Sequence, residues 1–210
     1  REALARVAAH LPPPRPTGIP AELIDLSDFY NAAPGVPWHG GEGNDLSDLP
    51  QGIQIFAGSR FDVRGLIQVA GSPEFSSVDF PREVGAIRIH RRLARLAFLQ
   101  SIAGDPSVPD GTRVGHYVIH FANGRREQLD ILYGRDARDW HEHPDQPVEA
   151  TEAIVAWKGT NAAVVPAGTR GIRLFKRTWV NPAPGVEIAT VDLVADHPTA
   201  CPFLVALTAE

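Results

Sequence analysis

The chain has 210 residues, of which 43% are hydrophobic and 21% are charged, a balance typical of a globular protein rather than a disordered one. Its formal net charge of −5 argues against nucleic acid and anionic membrane surfaces as partners. No apolar run approaches the roughly 18 residues of a membrane span, so we expect no membrane insertion of this segment. The single cysteine, Cys201, excludes a disulfide framework and is compatible with either redox environment.

The beginning of the chain differs in composition from the rest. Residues 1–11 are rich in helix formers with an apolar stripe, which predicts a short N-terminal helix. Repeated prolines in residues 12–20 predict an extended, semi-rigid linker. We therefore expect a helix and proline-rich linker at residues 1–20 and one β-domain at residues 21–210. The chain begins at Arg1 and contains no Met, and we expect it to be a piece of a larger protein.

From residue 21 the pattern becomes that of β-structure. Short alternating runs of apolar and polar residues, the first at residues 22–26, predict about ten strands bounded by Gly, Pro and Asn. Residues 27–50 interrupt this pattern with a segment too long for a turn, which is expected to be functional or packed by its own side chains. Residues 94–102 form a more continuous apolar run, whose composition would also suit a helix. Its place between strand patterns predicts a buried central strand.

This pattern predicts an all-β fold, an antiparallel β-sandwich of the jelly-roll kind. A sandwich buries alternate residues of each strand between its two sheets. The residues expected to face inward include Ile55, Ile89, Val118, Leu129, Val155, Leu174 and Val205.

The strongest local signal is the dipeptide Asn123-Gly124, which lies between two alternating runs. A two-residue type I′ turn needs positive φ at both central positions, and Asn-Gly adopts this conformation at low cost. The sequence therefore predicts a β-hairpin with a two-residue loop. In that register, Val118 faces Leu129 as an apolar pair on the core side.

Several blocks of the sequence together resemble a galactose-binding-like β-sandwich. They cover residues 22–208 and are IDLSDFYNA, LPQGIQIFAGSRFDVRGLIQV, RRLARLAFLQSIAG, the hairpin GHYVIHFANGRREQLDILYG, ATVDLVA and CPFLVALTAE. They are similar to accessory domains of the novel carbohydrate-binding-module and malectin groups, and to uncharacterised bacterial domains attached to membrane-anchored regulators. The resemblance implies a fold whose members bind sugars, peptides or lipids, because fold alone does not define function.

Aromatic residues in predicted loops provide candidates for sugar recognition, which needs a flat apolar plate flanked by hydrogen-bonding groups. Trp140, between Asp139 and His141, is the strongest plate candidate, in a shallow polar cleft bordered by residues 27–50 and 135–145. The alternative is that the indoles plug the ends of the sandwich. The candidate ligand-binding residues are Trp38, Arg135, Asp136, Trp140, Glu142, Trp157, Lys158 and Asn161.

Two histidines raise the hypothesis of a metal site. His141 and His143 are two residues apart, so on an extended segment both imidazoles would point the same way, with His116 or Asp139 as a third ligand. This spacing is not a specific zinc pattern, and the alternative is a solvated polar loop. We expect no cofactor. The candidates for a structural Ca²⁺ site are Asp45 and Asp48.

The sequence contains no G-x-S-x-G elbow, no phosphate-binding G-x-x-x-x-G-K and no H-E-x-x-H, so we expect a protein that is not an enzyme. The first hypothesis is a non-catalytic, glycan-binding accessory domain of a larger protein. The alternative is a structural or sensory protein-interaction domain of a larger, membrane-anchored assembly, and a third hypothesis is a metal-dependent enzyme that uses His141 and His143. The expected partner is therefore a saccharide or another protein, and the expected location is extracytoplasmic, either periplasmic or on the cell surface.

Overall fold

A computed structural model describes residues 12, 14–76 and 78–210. Their regular structure is almost entirely β-strand, with a single 3₁₀ turn at Pro73–Phe75 and no α-helix. The helix predicted at residues 1–11 lies outside the described residues. The strands are β1 Gly52–Phe56, β2 Ser59–Val63, β3 Ile67–Gln68, β4 Glu83–Arg91, β5 Arg95–Gly104, β6 Arg113–Phe121, β7 Arg126–Leu132, β8 Ala153–Gly159, β9 Ile172–Val180, β10 Ile188–Ala195 and β11 Ala200–Ala209.

The strands form antiparallel sheets that pack as a sandwich, which confirms the predicted all-β, antiparallel arrangement. One sheet has four strands in the order β4-β10-β6-β7, and the other has five in the order β3-β11-β5-β9-β8. Strands β1 and β2 form a separate hairpin. The main core lies between the two large sheets and contains Phe98 and Phe175 from one and Tyr117 and Leu193 from the other.

The five-stranded sheet is buried on both faces. In β5, Leu96 and Phe98 belong to the main core, whereas Ala97 and Leu99 belong to a second core on the opposite face of the sheet. This two-sided burial explains the continuous apolar run at residues 94–102, and the predicted central strand is confirmed because β5 lies between β11 and β9. The irregular segments that complete the second core form a loop layer over this sheet. Loop-layer residues in the second core include Trp38, Leu46, Leu49, Leu66, Trp140 and Val164.

The long segment at residues 27–50 contains no strand and belongs to this loop layer. Its side chains Trp38 and Leu46 are buried in the second core, which confirms that the segment is packed by its own side chains. The side chain of Asn31 attaches the segment to β3 in both directions. Its amide nitrogen donates to the carbonyl oxygen of Gln68 at 2.8 Å, and its oxygen accepts the backbone N–H of Gln68 at 2.8 Å.

The strand predicted at residues 22–26 is reduced to a single bridge between Leu23 and Thr208. The cause is local, because the side-chain oxygen of Asp25 accepts the backbone N–H of Ser27 at 3.0 Å and turns the chain. Asp and Ser commonly stabilise turns in this way, in competition with strand pairing. The expected strand is therefore wrong.

The β6–β7 hairpin turns at the predicted place, but through a three-residue loop, residues 122–124. Gly124 has a φ of +86°, and its N–H donates to the carbonyl oxygen of Phe121 at 3.0 Å. Asn123 is not among the residues with positive φ. This is a type I turn followed by a left-handed glycine, which is a common three-residue hairpin loop. The predicted two-residue type I′ turn is therefore wrong, because it requires positive φ at both residues.

The extra loop residue shifts the strand register by one. Tyr117, rather than Val118, lies opposite Leu129. Because strand side chains alternate between faces, this slip buries Tyr117 and leaves Val118 partly exposed. Of the other residues expected to face inward, Ile89 is buried in the main core, and Leu129 and Val155 are partly buried against it. Leu174 and Val205 are buried in the second core, on the opposite face of their sheet, so their expected position between the sheets is wrong. Ile55 is 71% exposed.

The exposure of Ile55 contradicts its expected inward orientation and follows from the way the β1–β2 hairpin packs. One face of this hairpin places Phe61 and Val63 of β2 in the second core. Ile55 lies opposite Arg60 on the other face, which faces solvent. Alternation correctly predicted a strand here, but it did not indicate which face would be covered.

Candidate functional site

A polar cleft of about 300 Å³ opens in the loop layer between residues 27–50 and the segment that follows β7. The cleft therefore lies between the two loops that the sequence indicated. We call it the histidine cleft. Its lining includes His39, Asn44, Phe75, Asp139, His141 and His143.

The ends of two neighbouring strands position the cleft. Strands β5 and β9 pair as far as Gln100 and Phe175, and residues 138–142 then insert between them. The N–H of Trp140 donates to the carbonyl oxygen of Ile102 at 2.8 Å, and the N–H of Arg173 donates to the carbonyl oxygen of Trp140 at 2.8 Å. The inserted segment is thus held on both sides by main-chain hydrogen bonds, which gives the cleft a rigid wall.

A buried arginine holds the same loop from below. Arg173 of β9 is fully buried, and its guanidinium lies 5.3 Å from the ring centroid of Phe175. Its Nε donates to the carbonyl oxygen of Asp139 at 3.2 Å, and its Nη1 donates to those of Pro147 and Val148 at 3.2 and 2.8 Å. Burial lowers the pKa of this guanidinium. Sequence reasoning missed this role, and the only available signal was an arginine within an apolar stretch of β9.

Trp140 lines the cleft, and the ring of Trp38 packs against it. Trp38 and Trp140 are each only 2% exposed, and their rings lie 4.9 Å apart at an interplanar angle of 37°. Both rings also contact the edge of Phe203 in the second core. The prediction that Trp140 presents an exposed indole plate is therefore wrong. The physical reason is that the segment carrying Trp140 inserts between two strand ends, which directs the indole into the second core.

The buried side chain of Gln68 connects Trp38 to His39, which lines the cleft. Its amide nitrogen donates to the carbonyl oxygens of Val69 and Pro202 at 2.7 and 3.2 Å. Its amide oxygen accepts the indole N–H of Trp38 at 3.1 Å and lies 3.1 Å from Nε2 of His39. Sequence reasoning did not identify Gln68, because a single glutamine in a short strand carries no distinguishing pattern.

Two imidazoles of the cleft, those of His39 and His141, are uncharged near neutral pH. Burial lowers the pKa of His39 to about 4, although its hydrogen bond to Gln68 acts in the opposite direction. Burial, together with the neighbouring His143, lowers the pKa of His141 to about 4. Burial also raises the pKa of the Asp139 carboxyl. The cleft therefore disfavours charge on its own buried groups.

The hydrogen bonds of His141 do not suit a metal ligand. Its Nδ1 lies 3.2 Å from the hydroxyl of Thr169, and its Nε2 lies 3.0 Å from the side-chain oxygen of Asn44. Both ring nitrogens are thus engaged by protein groups. His143 has a different partner, because its Nε2 lies 3.4 Å from Oδ1 of Asp139.

The other candidate metal ligands are used elsewhere in the fold. His116 lies on the outer face of the four-stranded sheet, with its Nδ1 2.6 Å from Oδ2 of Asp196. Oδ1 of Asp45 accepts a main-chain N–H two residues later, and Oδ2 of Asp48 accepts the N–H of Thr160, both at 3.0 Å. Within the described part of the chain, no group of three or more His, Cys, Asp or Glu residues is arranged to hold a metal ion.

Arg135 and Asp136 lie outside the histidine cleft. Asp136 is buried, and its two oxygens accept from Nε of Arg135 and Nε of Arg177, each at 2.8 Å. These two arginines, together with Asp130 and Glu152, line a different cleft of about 410 Å³. The structure thus separates this pair from the predicted tryptophans.

The remaining predicted residues also have other surroundings. Lys158 donates to Oε2 of Glu142 at 2.7 Å, and the neighbouring Trp157 is half-buried beside a shallow depression of about 310 Å³. Asn161 supports the back of the histidine cleft, because its amide nitrogen lies 3.4 Å from the oxygen of Asn44 and donates to a main-chain carbonyl oxygen at 3.0 Å. The predicted set is therefore divided among three places rather than gathered in one.

Comparisons with protein-family models, curated protein sequences and solved structures found no match to this chain. The resemblance to galactose-binding-like domains therefore stays an expectation from sequence. Among the described residues, no helix has the length and apolar character needed to cross a bilayer.

Proposed function

We propose that this chain is a non-catalytic binding module that takes a neutral polyhydroxylated ligand, a saccharide, in the histidine cleft. The observation that carries this proposal is a hydrogen-bonding surface that offers two neutral imidazoles and, in the part of the chain that the structure describes, no lysine or arginine to a ligand. His39 and His141 have pKa values lowered to about 4, and no lysine or arginine of the described residues lines the cleft. An anion would leave water without gaining a counter-charge there, which is costly, whereas a neutral ligand exchanges hydrogen bonds only.

The shape of the cleft supports the same ligand class. Its volume of about 300 Å³ is at the lower end of the range for small-molecule sites. The rings of Phe75 and His39 meet edge to face at 4.8 Å and form a partly apolar wall for the C–H face of a sugar. Because each hydroxyl contact replaces a contact with water, we expect a dissociation constant of roughly 10 μM to 1 mM.

The proposal also covers the fold family of the domain and its location. A galactose-binding-like jelly roll that serves as an extracytoplasmic accessory domain of a larger protein would be a suitable scaffold for such a cleft. The support for this classification is the sequence resemblance together with the observed antiparallel sandwich.

The test is a titration of the isotope-labelled protein with neutral saccharides, monitored by backbone amide resonances. We expect the shifts to cluster at Asn44, Phe75 and His141. The variant His39→Phe should weaken binding about tenfold through loss of a ring hydrogen bond. The control variant, Arg126→Ala, alters an exposed residue of β7 that does not line the cleft and should leave the affinity unchanged. Shifts clustered around Trp157 would contradict the cleft assignment.

The protein-interaction alternative is favoured by a different observation. Strand β1 exposes Ile53 and Ile55, at 42% and 71%, and among the described residues it pairs with β2 alone. A free, uncharged strand edge with exposed apolar side chains can recruit a strand of a partner. If no neutral saccharide binds, this alternative becomes the better one. Ile55→Lys should then abolish binding of the partner protein.

A further inference from the structure

The orientation of the Gln68 amide is fixed by its surroundings. Gln68 is fully buried, and its amide nitrogen lies 2.7 Å from the carbonyl oxygen of Val69 and 3.2 Å from that of Pro202. Both oxygens are acceptors, so they require the NH₂ group, whose two protons they use. The flipped amide would place an oxygen against two oxygens with no proton between them. The amide oxygen of Gln68 must therefore face the opposite way.

This oxygen in turn determines the tautomer of His39. It lies 3.1 Å from the indole nitrogen of Trp38, which can only donate, and 3.1 Å from Nε2 of His39. An amide oxygen has two lone pairs and no proton, so Nε2 of His39 must carry the hydrogen. A neutral imidazole has one N–H, which leaves a lone pair on Nδ1.

The lone pair on Nδ1 is the group of His39 that we assign to a ligand. Within the described residues, no hydrogen bond to Nδ1 of His39 is formed, and the side chain lines the histidine cleft. The lowered pKa of His39, caused by burial, keeps Nδ1 unprotonated near neutral pH. His141 differs, because both of its ring nitrogens already have protein partners.

We infer that the histidine cleft requires a hydrogen-bond donor on its ligand: a free hydroxyl of a neutral saccharide donates to Nδ1 of His39, and Gln68 is the positioning residue that keeps this nitrogen an acceptor. The inference rests on the proposed function and names the chemical group that the site selects. A sugar position that offers only an acceptor, such as a methyl ether or a fluorine, meets lone pair against lone pair and is rejected.

The first test concerns the ligand-free protein. Nitrogen-15 chemical shifts of the His39 ring, measured near neutral pH, should show a protonated Nε2 and an unprotonated Nδ1. In the variant Gln68→Met, which removes the amide, the two nitrogens should move towards averaged shifts of exchanging tautomers. If this variant does not fold, the wild-type shifts decide alone. A protonated Nδ1 in the wild type would overturn the inference whether or not any saccharide binds.

The second test uses the methyl glycosides of glucose, galactose and mannose with their singly deoxygenated and singly fluorinated derivatives. For the glycoside that binds, we expect one position where both replacements weaken binding about tenfold, because both remove the donor. Fluorine has about the size of a hydroxyl and remains a weak acceptor. At a sugar position that accepts a hydrogen bond from the protein, fluorination should therefore weaken binding less than deoxygenation does. In His39→Phe, the parent should bind as weakly as its fluorinated derivative.

The outcomes separate the two proposals. If a parent glycoside binds and every fluorinated derivative binds equally well, the inference is wrong and the proposed function stands. If no glycoside binds, the saccharide assignment fails with the proposed function, whatever the tautomer of His39.

Discussion

The two large sheets are built from similar strands but have different surroundings. In the five-stranded sheet, all eight residues of β5 between Arg95 and Gly104 are buried, because the four-stranded sheet covers one face and the loop layer covers the other. In the four-stranded sheet, β6 alternates between buried residues and partly exposed ones such as His116 and His120. The four-stranded sheet thus has one face towards solvent, whereas the outer face of the five-stranded sheet is covered by the loop layer, which contains the histidine cleft.

The same difference changes the role of histidine. On the solvated face of the four-stranded sheet, His116 and His120 lie 2.6 and 2.5 Å from carboxylate oxygens of Asp196 and Asp192. In the loop layer, His39 has only an amide oxygen as a hydrogen-bond partner among the described residues, and burial lowers its pKa to about 4. The histidines of the sheet face thus have carboxylate partners, whereas burial in the loop layer favours a neutral ring at His39.

The largest expected effect tests whether the loop layer is a true core. Leu99 is fully buried against that layer, so Leu99→Ala should reduce the free energy of unfolding by about 3 kcal/mol. The matched control is Val118→Ala on the solvated face of β6, where we expect a loss below about 1 kcal/mol. Chemical denaturation measures both. Equal losses would mean that the loop layer is loosely attached and that the two sheets do not differ as described.

The next effect is the pH dependence of stability. In the unfolded chain a histidine binds its proton near pH 6.5, whereas His39 and His141 in the folded protein bind it only near pH 4. Between these values the unfolded state holds more protons, so the stabilisation is fully present above about pH 6.5 and is lost as pH falls towards 4. Each histidine should contribute about 2 kcal/mol, allowing for partial solvent access.

Denaturation midpoints measured from pH 7.5 to pH 4 check this prediction. His143 and Asp139 also face His141, and the raised pKa of Asp139 acts in the opposite direction near the lower end of the range. The control is His39→Gln, which should reduce the slope of stability against pH by about half. An unchanged slope in this variant would show that His39 is already protonated, or fully solvated, in the folded state.

A smaller effect concerns the hairpin turn of the four-stranded sheet. Gly124 has a φ of +86°, and no other residue lies near the position that its Cβ would take. Gly124→Val should therefore cost about 1–2 kcal/mol through backbone strain alone. Ala122→Val, two residues earlier at a position without positive φ, should cost less than about 0.5 kcal/mol. If both variants have the wild-type denaturation midpoint, the left-handed conformation at Gly124 is wrong.

The smallest effect is expected on the exposed face of the β1–β2 hairpin. Ile55 is 71% exposed, so Ile55→Thr should change the free energy of unfolding by less than about 0.5 kcal/mol. Val63→Ala on the opposite face truncates a fully buried side chain and should cost about 2 kcal/mol. A loss well above 1 kcal/mol for Ile55→Thr would show that another part of the protein covers this face in solution.

The sequence by itself determined the local features of this protein. Alternation of apolar and polar residues specified antiparallel strands, because side chains on a strand have a period of two. The continuous apolar run at residues 94–102 specified a strand buried on both faces, and the composition of residues 27–50 specified a long irregular segment. Asn123-Gly124 specified where the hairpin turns. Each of these features depends on residues that are close in the chain.

Only the tertiary structure decided the register, the burial of the indoles and the chemistry of the cleft. The turn pattern allows a loop of either two or three residues, and packing of Tyr117 in the main core selects the longer loop. Trp140 looked exposed among polar neighbours, yet its neighbours in space are Trp38 and Phe203. The hydrogen-bond partners of Gln68 include Pro202, 134 residues away, so the orientation of its amide depends on contacts that local pattern cannot specify.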